Sequence, residues 1–192
     1  AYDLHIMSET AALLGNPGES EKYKIRYEQR KEFFNKTFVN AGKKTVGLIG
    51  GGRGFGAQPA PAPEFRLADV QTAYAVGLGM NLFNEENRPF MIRNLKEAVE
   101  RENPDDEGVM RPGYSLMTGF IGTAWISKAL SDNGLDELAY RLLQNNKYPS
   151  WLYSIDQGAT TIWERLNGYT VENGFGGNNS MNSFNHYSFG AV

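Results

Sequence analysis

Apolar positions recur at helical spacing along most of the chain, and the first of these runs sets the pattern. Leu4, Met7, Ala11 and Leu14 share one face of a predicted helix, which Gly15-Asn16-Pro17-Gly18 ends. A second helix is predicted over residues 19–39, with Tyr23, Tyr27, Phe34 and Phe38 on one face. Rings at that spacing read as core rather than as ligand contacts. Val70, Tyr74, Leu78 and Leu82 mark a third helix, with Asp69 near its first turn, where negative charge is favourable. Pro89 suits the first turn of a fourth, which carries Ile92, Leu95 and Val99 inward and a Glu97–Arg101 pair outside. A fifth covers residues 115–131, with Ile121, Ala124 and Trp125 inward, and Asn133-Gly134 stops it. Leu135, Leu138 and Leu142 make a short sixth, and Ser183 or Asn185 could cap a last one. No segment shows a convincing strand alternation. The expected fold is all-α: antiparallel helix pairs forming a helical-hairpin toroid or a segment of one. No repeat of fixed period appears, which argues against a regular solenoid.

Four segments interrupt the helices. Residues 47–63 contain Gly52, Gly54 and Ala57 at the spacing of a dinucleotide-binding turn. That turn needs a helix directly after it. Gln58-Pro59-Ala60-Pro61-Ala62-Pro63 cannot start one, so the segment reads as a loop, a candidate border of an active-site mouth. Asn103-Pro104-Asp105-Asp106-Glu107-Gly108 is acidic but lacks the alternating oxygen ligands of a calcium loop, and reads as a solvated turn. Residues 167–181 are rich in Gly and Asn and read as a long loop. Residues 148–164 crowd Tyr148, Trp151, Tyr153, Trp163 and Glu164 between two helix breakers, Pro149 and Gly158, and read as mostly irregular backbone. Rings beside a carboxylate suit sugar recognition, the rings facing a pyranose and the carboxylate supplying acid–base chemistry. A buried aromatic corner is the plain alternative.

Composition narrows the class without deciding it. The 192 residues include 41% hydrophobic ones, carry a net charge of −3 and contain no cysteine. The mild acidity gives no reason to expect nucleic acid or an anionic membrane as partner. No run of about 18 apolar residues offers a membrane span. Without cysteine there are no disulfides or thiolate metal sites, and the compartment stays open. Two histidines make a protein-held catalytic metal a poor expectation, and no cofactor is expected.

The wording of residues 148–187 goes further. Tyr148-Pro149-Ser150-Trp151, then Gly158-Ala159-Thr160-Thr161-Ile162-Trp163-Glu164-Arg165, then Asn182-Ser183-Phe184-Asn185-His186-Tyr187 closely resemble the bacterial α-L-rhamnosidases of glycoside hydrolase family 78. Gln71-Thr72-Ala73-Tyr74 and Thr118-Gly119-Phe120-Ile121-Gly122-Thr123 also look like that family's helix openings. The resemblance runs over nearly the whole chain, in order. It implies that residues 1–192 are one partial domain, the C-terminal half of an (α/α)6-barrel catalytic domain that removes terminal α-L-rhamnose with inversion. It also implies a rhamnose-containing glycoside or polysaccharide as substrate.

By that resemblance Glu164 matches the general base, its plain alternative being a structural Glu paired with Arg165 or Arg111. His186 matches a histidine that lines the sugar site. Trp163 and Trp151 are expected as stacking platforms or walls, and Tyr153 and Phe120 as weaker sugar contacts. Inverting glycosidases need a second carboxylic acid roughly 6.5–9.5 Å from the base. The family's acid belongs to an upstream motif that nothing here matches; Asp3, Glu9 and Asp69 lack its surroundings. Alone, the chain is therefore expected to self-associate or to need the missing upstream part of the domain, and not to turn over substrate. His5 has no partner signal, and no nucleophile elbow supports a Ser-His-Asp triad. The alternatives are a non-catalytic carbohydrate-binding or structural remnant of the same fold, and a toroid glycosidase for another sugar.

Overall fold

A computed structural model describes residues 1–49, 64–105, 107–176 and 182–190. The expectations placed on the Gly-rich turn and Pro-rich run of 50–63, on Asp106 and on 177–181 lie outside those residues. The chain divides into two compact units, 1–69 with 80–91, and 70–79 with 92–192.

In the first unit α1 (Tyr2–Leu13) and α2 (Pro17–Phe38) form a hairpin. Its antiparallel sense follows from its contacts: Ser8 Oγ donates to the Ser20 carbonyl at 2.8 Å, and His5 stacks on Tyr27 at 5.2 Å. His5 thus has a packing partner that the sequence did not signal. Asn35, buried on α2, ties the hairpin to the 82–87 turn. Its amide donates to the Leu82 carbonyl, and its oxygen accepts from Asn84 N and Asn87 Nδ2. The expectation of no strands is corrected here. Val46–Ile49 (β1) and Glu64–Leu67 (β2) pair antiparallel, with Val46 opposite Leu67. Four residues are too few to display alternation against neighbouring glycine and proline.

The second unit holds α3 (Gln71–Gly79), most of α4 (Arg88–Glu100), α5 (Gly119–Ser131) and α6 (Asp136–Leu143). Gln71 at the start of α3 donates to the Ala98 carbonyl near the end of α4, so these two run antiparallel. Thr72 Oγ1 donates to the Thr118 carbonyl, and Gly79 abuts Trp125, so α3 and α5 run in the same direction. That alternation is the helical-hairpin order read from the sequence. Tyr74, Leu95, Val99, Ile126, Leu130 and Leu142 are fully buried and form its core.

Helix boundaries and faces differ from expectation in three places. The third helix ends at Gly79 rather than near Leu82, because Asn81 turns the chain at a φ of 53°. The fifth starts at Gly119 and turns Gly122, Thr123, Ile126, Ala129 and Leu130 inward, leaving Ile121 and Ala124 exposed. A Cβ on Gly122 would stand 2.7 Å from Thr72 Oγ1; the bare glycine lets α5 approach α3, and this contact sets its rotation. On α4 the outer i, i+4 ion pair is Lys96–Glu100 at 3.9 Å, while Arg101 Nε donates to Asn103.

Short elements fill the remainder. Asn103–Pro104 (β3) pairs with Met110–Arg111 (β4), and Tyr169–Thr170 (β5) with Gly174–Phe175 (β6). Residues 148–164 contain a helix after all: α7 spans Trp151–Asp156, and the Ser150 side chain caps it by accepting from Tyr153 N. The expected last helix is a 3₁₀ turn, Tyr187–Gly190, preceded by the Ser183 hydroxyl accepting from Asn185 N. No helix of the described residues is long and apolar enough to cross a membrane, and no group of three or more His, Asp or Glu among them could hold a metal.

Candidate active site

Glu164 follows directly on a buried ring. Trp163, 6% exposed, meets Phe184 and Tyr169 edge-to-face, and this wedge fixes the backbone on either side of it. Glu164 N donates to the Ser183 carbonyl at 2.8 Å, and Ser183 N returns a bond to Glu164 Oε2 at 2.7 Å. One carboxylate oxygen is thereby anchored to the backbone of 182–186, while Oε1 accepts no hydrogen bond from a described residue. His186 N donates to the Ile162 carbonyl, so the two motif segments lie side by side.

The carboxylate borders a cleft of about 460 Å³. Asp105, Glu107, Arg111, Met117, Thr118, Tyr148, Arg165, Asn167 and Phe189 line it with Glu164. One wall is the chain reversal of residues 112–118. Tyr114 sits there at a φ of 64°, held by its own N–H to the Val99 carbonyl, by Asn145 Nδ2 on its carbonyl and by the Arg141 guanidinium over its ring at 3.9 Å. Gly113 fits the same turn because a Cβ would come 2.2 Å from the Glu100 carbonyl oxygen.

The β3–β4 hairpin also borders the cleft, and there Asp105 is committed. Its carboxylate accepts from Glu107 N, Val109 N and Arg111 Nε, and pairs with Arg111 Nη2 at 2.5 Å. Desolvation acts to raise its pKa, but the backbone bond from Val109, the Arg111 hydrogen bond and charge, and the Glu107 bond outweigh it and hold the carboxyl below its ordinary value. Asp105 is accordingly a fixed anion, unsuited to donating a proton. The expected solvated turn is exposed at Glu107 and Gly108, and it closes the β3–β4 hairpin. Arg111, taken from sequence as a possible partner of Glu164, spends its charge on Asp105 and lies over the Tyr148 ring at 4.7 Å. Burial pushes the Tyr148 phenol up, the largest of its influences.

The other candidate residues sit around this cleft in different ways. His186 stacks on Phe120 at 4.8 Å, and Phe120 meets Phe189, which lines the cleft. The Nδ1 atom of His186 is buried without a hydrogen-bond partner among the described residues. Trp151 is buried beneath, its Nε1 donating to the Phe189 carbonyl. Trp163 is likewise packed behind Glu164. Tyr153 borders a neighbouring groove with Tyr148 rather than the Glu164 cleft. Sequence reasoning missed Asp105, Glu107, Met117 and Asn167 as cleft residues, and it placed Tyr148 only among the rings near Glu164.

The sequence profile of the bacterial α-L-rhamnosidase six-hairpin glycosidase domain matches residues 1–192. The chain belongs to that family. Its (α/α)6 class agrees with the alternating helices, of which these residues form a part. An α-L-rhamnosidase of Formosa agariphila is 34% identical over 193 residues, covering all of this chain and 17% of the relative. One from Streptomyces avermitilis is 39% identical over 124 residues, or 65% of this chain and 11% of the relative. Among solved structures, the Streptomyces avermitilis α-L-rhamnosidase complexed with L-rhamnose superposes on the whole chain with a TM-score of 0.75 at 28% identity, over 15% of its own length. The native enzyme from Aspergillus terreus gives 0.76 at 24% identity over 18% of its length, a likeness of fold alone. The rhamnosidase-family chain thus spans about a sixth of the length of the curated relatives it matches over its full extent.

Proposed function

We propose that this chain is the C-terminal part of the catalytic domain of an inverting α-L-rhamnosidase, with Glu164 as general base. The substrate is a glycoside or polysaccharide carrying terminal non-reducing α-L-rhamnose. The observation that carries the reading is Glu164 at the cleft, its carboxylate anchored through Oε2 by Ser183 N and its Oε1 unbonded among the described residues. A base that takes a proton from water needs one fixed, uncommitted oxygen, and this arrangement supplies it.

The chemistry balances as follows. Water attacks the anomeric carbon from the face opposite the aglycone, and its proton passes to Glu164. The bond from the anomeric carbon to the leaving oxygen breaks, and a second carboxylic acid protonates that oxygen. Asp105 is held ionised by Arg111 and is a poor candidate for this acid. The acid is expected upstream of residue 1, in the same domain. Around the reacting sugar, the Phe120–His186 stack offers an aromatic face and a ring nitrogen for a hydroxyl.

The decisive test is Glu164→Gln in the complete polypeptide, assayed on an aryl α-L-rhamnoside. Gln keeps an oxygen acceptor for Ser183 N but cannot take a proton. The expected loss in kcat is about 10²–10⁴-fold with an unchanged thermal midpoint. Near-normal turnover would remove Glu164 from the mechanism. A wild-type protein that binds rhamnose without hydrolysing it would support the non-catalytic alternative.

A further inference from the structure

Next to the Glu164 cleft lies a second groove of about 350 Å³, and the two share Arg111, Tyr148 and Asn167 as wall residues. Tyr153, Thr170 and Asn173 complete its side-chain lining, while Gly174 and Gly176 contribute bare backbone. We propose that this groove is a binding subsite for a neutral sugar ring, the one that bears the leaving oxygen of the substrate. The proposal rests on the rhamnosidase reading above and adds to it which residues select a saccharide aglycone.

Three observations support it. The first is a surplus of uncommitted hydrogen-bonding groups. The phenols of Tyr148 and Tyr153 and the side-chain amides of Asn167 and Asn173 have no hydrogen-bond partner among the described residues. Thr170 Oγ1 accepts from Asn173 N at 3.0 Å, which leaves its own proton to donate. Amides, phenols and a hydroxyl both donate and accept, as a ring of hydroxyl groups requires. The second is charge. Arg111 is the charged residue of the lining, and Asp105 neutralises it at 2.5 Å, so the groove has no net call for an anion. The third is rigidity. Tyr148 and Tyr153 brace each other edge-to-face at 5.3 Å, and Arg111 lies over Tyr148. The β5–β6 hairpin opposite is pinned by Val171 N donating to Gln157 Oε1 at 2.8 Å and by Gly176 N donating to the Gly168 carbonyl at 3.1 Å. Groups held in place before binding lose little entropy when a ligand arrives. The volume also falls within the roughly 300–1,000 Å³ of small-molecule sites.

The test compares two substrates in the complete polypeptide: an aryl α-L-rhamnoside, and a disaccharide with α-L-rhamnose on glucose. Two variants serve, Asn173→Ala and Tyr153→Phe. The Asn173 side chain makes no bond within the described residues and its backbone N–H is retained, so the hairpin should survive. The quantity read is kcat/KM for the disaccharide divided by kcat/KM for the aryl rhamnoside. Each variant should lower that ratio about threefold to tenfold, the size of one lost hydrogen bond. A ratio unchanged in both variants, with wild-type activity intact, would overturn the subsite alone. Equal losses on both substrates would also overturn it, since they would mark a general structural effect. A wild type inactive on the aryl rhamnoside would instead overturn the hydrolase reading, and the subsite with it.

Discussion

Helices α3, α5 and α6, most of α4 and the described residues of 148–190 belong to one compact unit but are held by different forces. Among the helices, Tyr74, Leu95, Ile126 and Leu130 are wholly removed from water, and area burial stabilises each by about 1.5–3 kcal/mol. In 148–190 the recurrent contact is a polar side chain on a distant backbone group. Ser154 Oγ donates to the Leu166 carbonyl, Trp151 Nε1 to that of Phe189, Thr161 Oγ1 to that of Phe184, and Ser183 N donates to Glu164. Edge-to-face rings from Trp163 through Phe184 and Phe175 to Tyr169 fill the gaps. The first region resists unfolding through many interchangeable contacts. The second fixes a carboxylate through few and specific ones, so small changes there should move activity before they move stability.

Leu130→Ala should give the largest stability loss, about 2–5 kcal/mol, because a fully buried side chain leaves a cavity. Urea denaturation measures this, and kcat well below the melting range should stay near wild type. Ser154→Ala should lower stability less, by about 1–3 kcal/mol, since the Leu166 carbonyl loses its side-chain partner. Leu166 lines the cleft, so this variant should lower kcat more than Leu130→Ala does. Equal kcat losses in the two would erase the distinction between the regions. The smallest effect concerns Asp105, whose carboxyl is held below its ordinary value. Such a group stabilises fully above the ordinary carboxylate range, and the contribution disappears as pH falls through the lowered value. Asp105→Asn should therefore flatten the acid limb of a plot of thermal midpoint against pH. An acid limb as steep as that of wild type would show that the β3–β4 ion pair adds nothing to folding.

Legibility followed the same division. On α4, Leu95 and Val99 were readable because a helix repeats its buried positions every three to four residues, and both are buried. On α5 the periodicity was visible but its phase was not. Gly122 against Thr72 decided which stripe turned inward, and that contact joins residues fifty apart. Glu164 and His186 were marked by their motif wording, whereas Asp105 read as part of a turn and Arg111 only as a possible partner of Glu164.

What the sequence determined by itself is the helical order and the family, and it singled out one carboxylate for the proposed base, since each is written in local spacing or in contiguous words. What only the tertiary structure decided is the company that carboxylate keeps. Ser183 on Oε2 and the groove between Tyr153 and Asn173 bring together residues about twenty apart, and the Arg111–Asp105 pair closes a hairpin that no periodicity announces. Contacts of that kind leave no periodic trace, because each depends on a single pair of atoms brought within about 3 Å by the packing of everything between them.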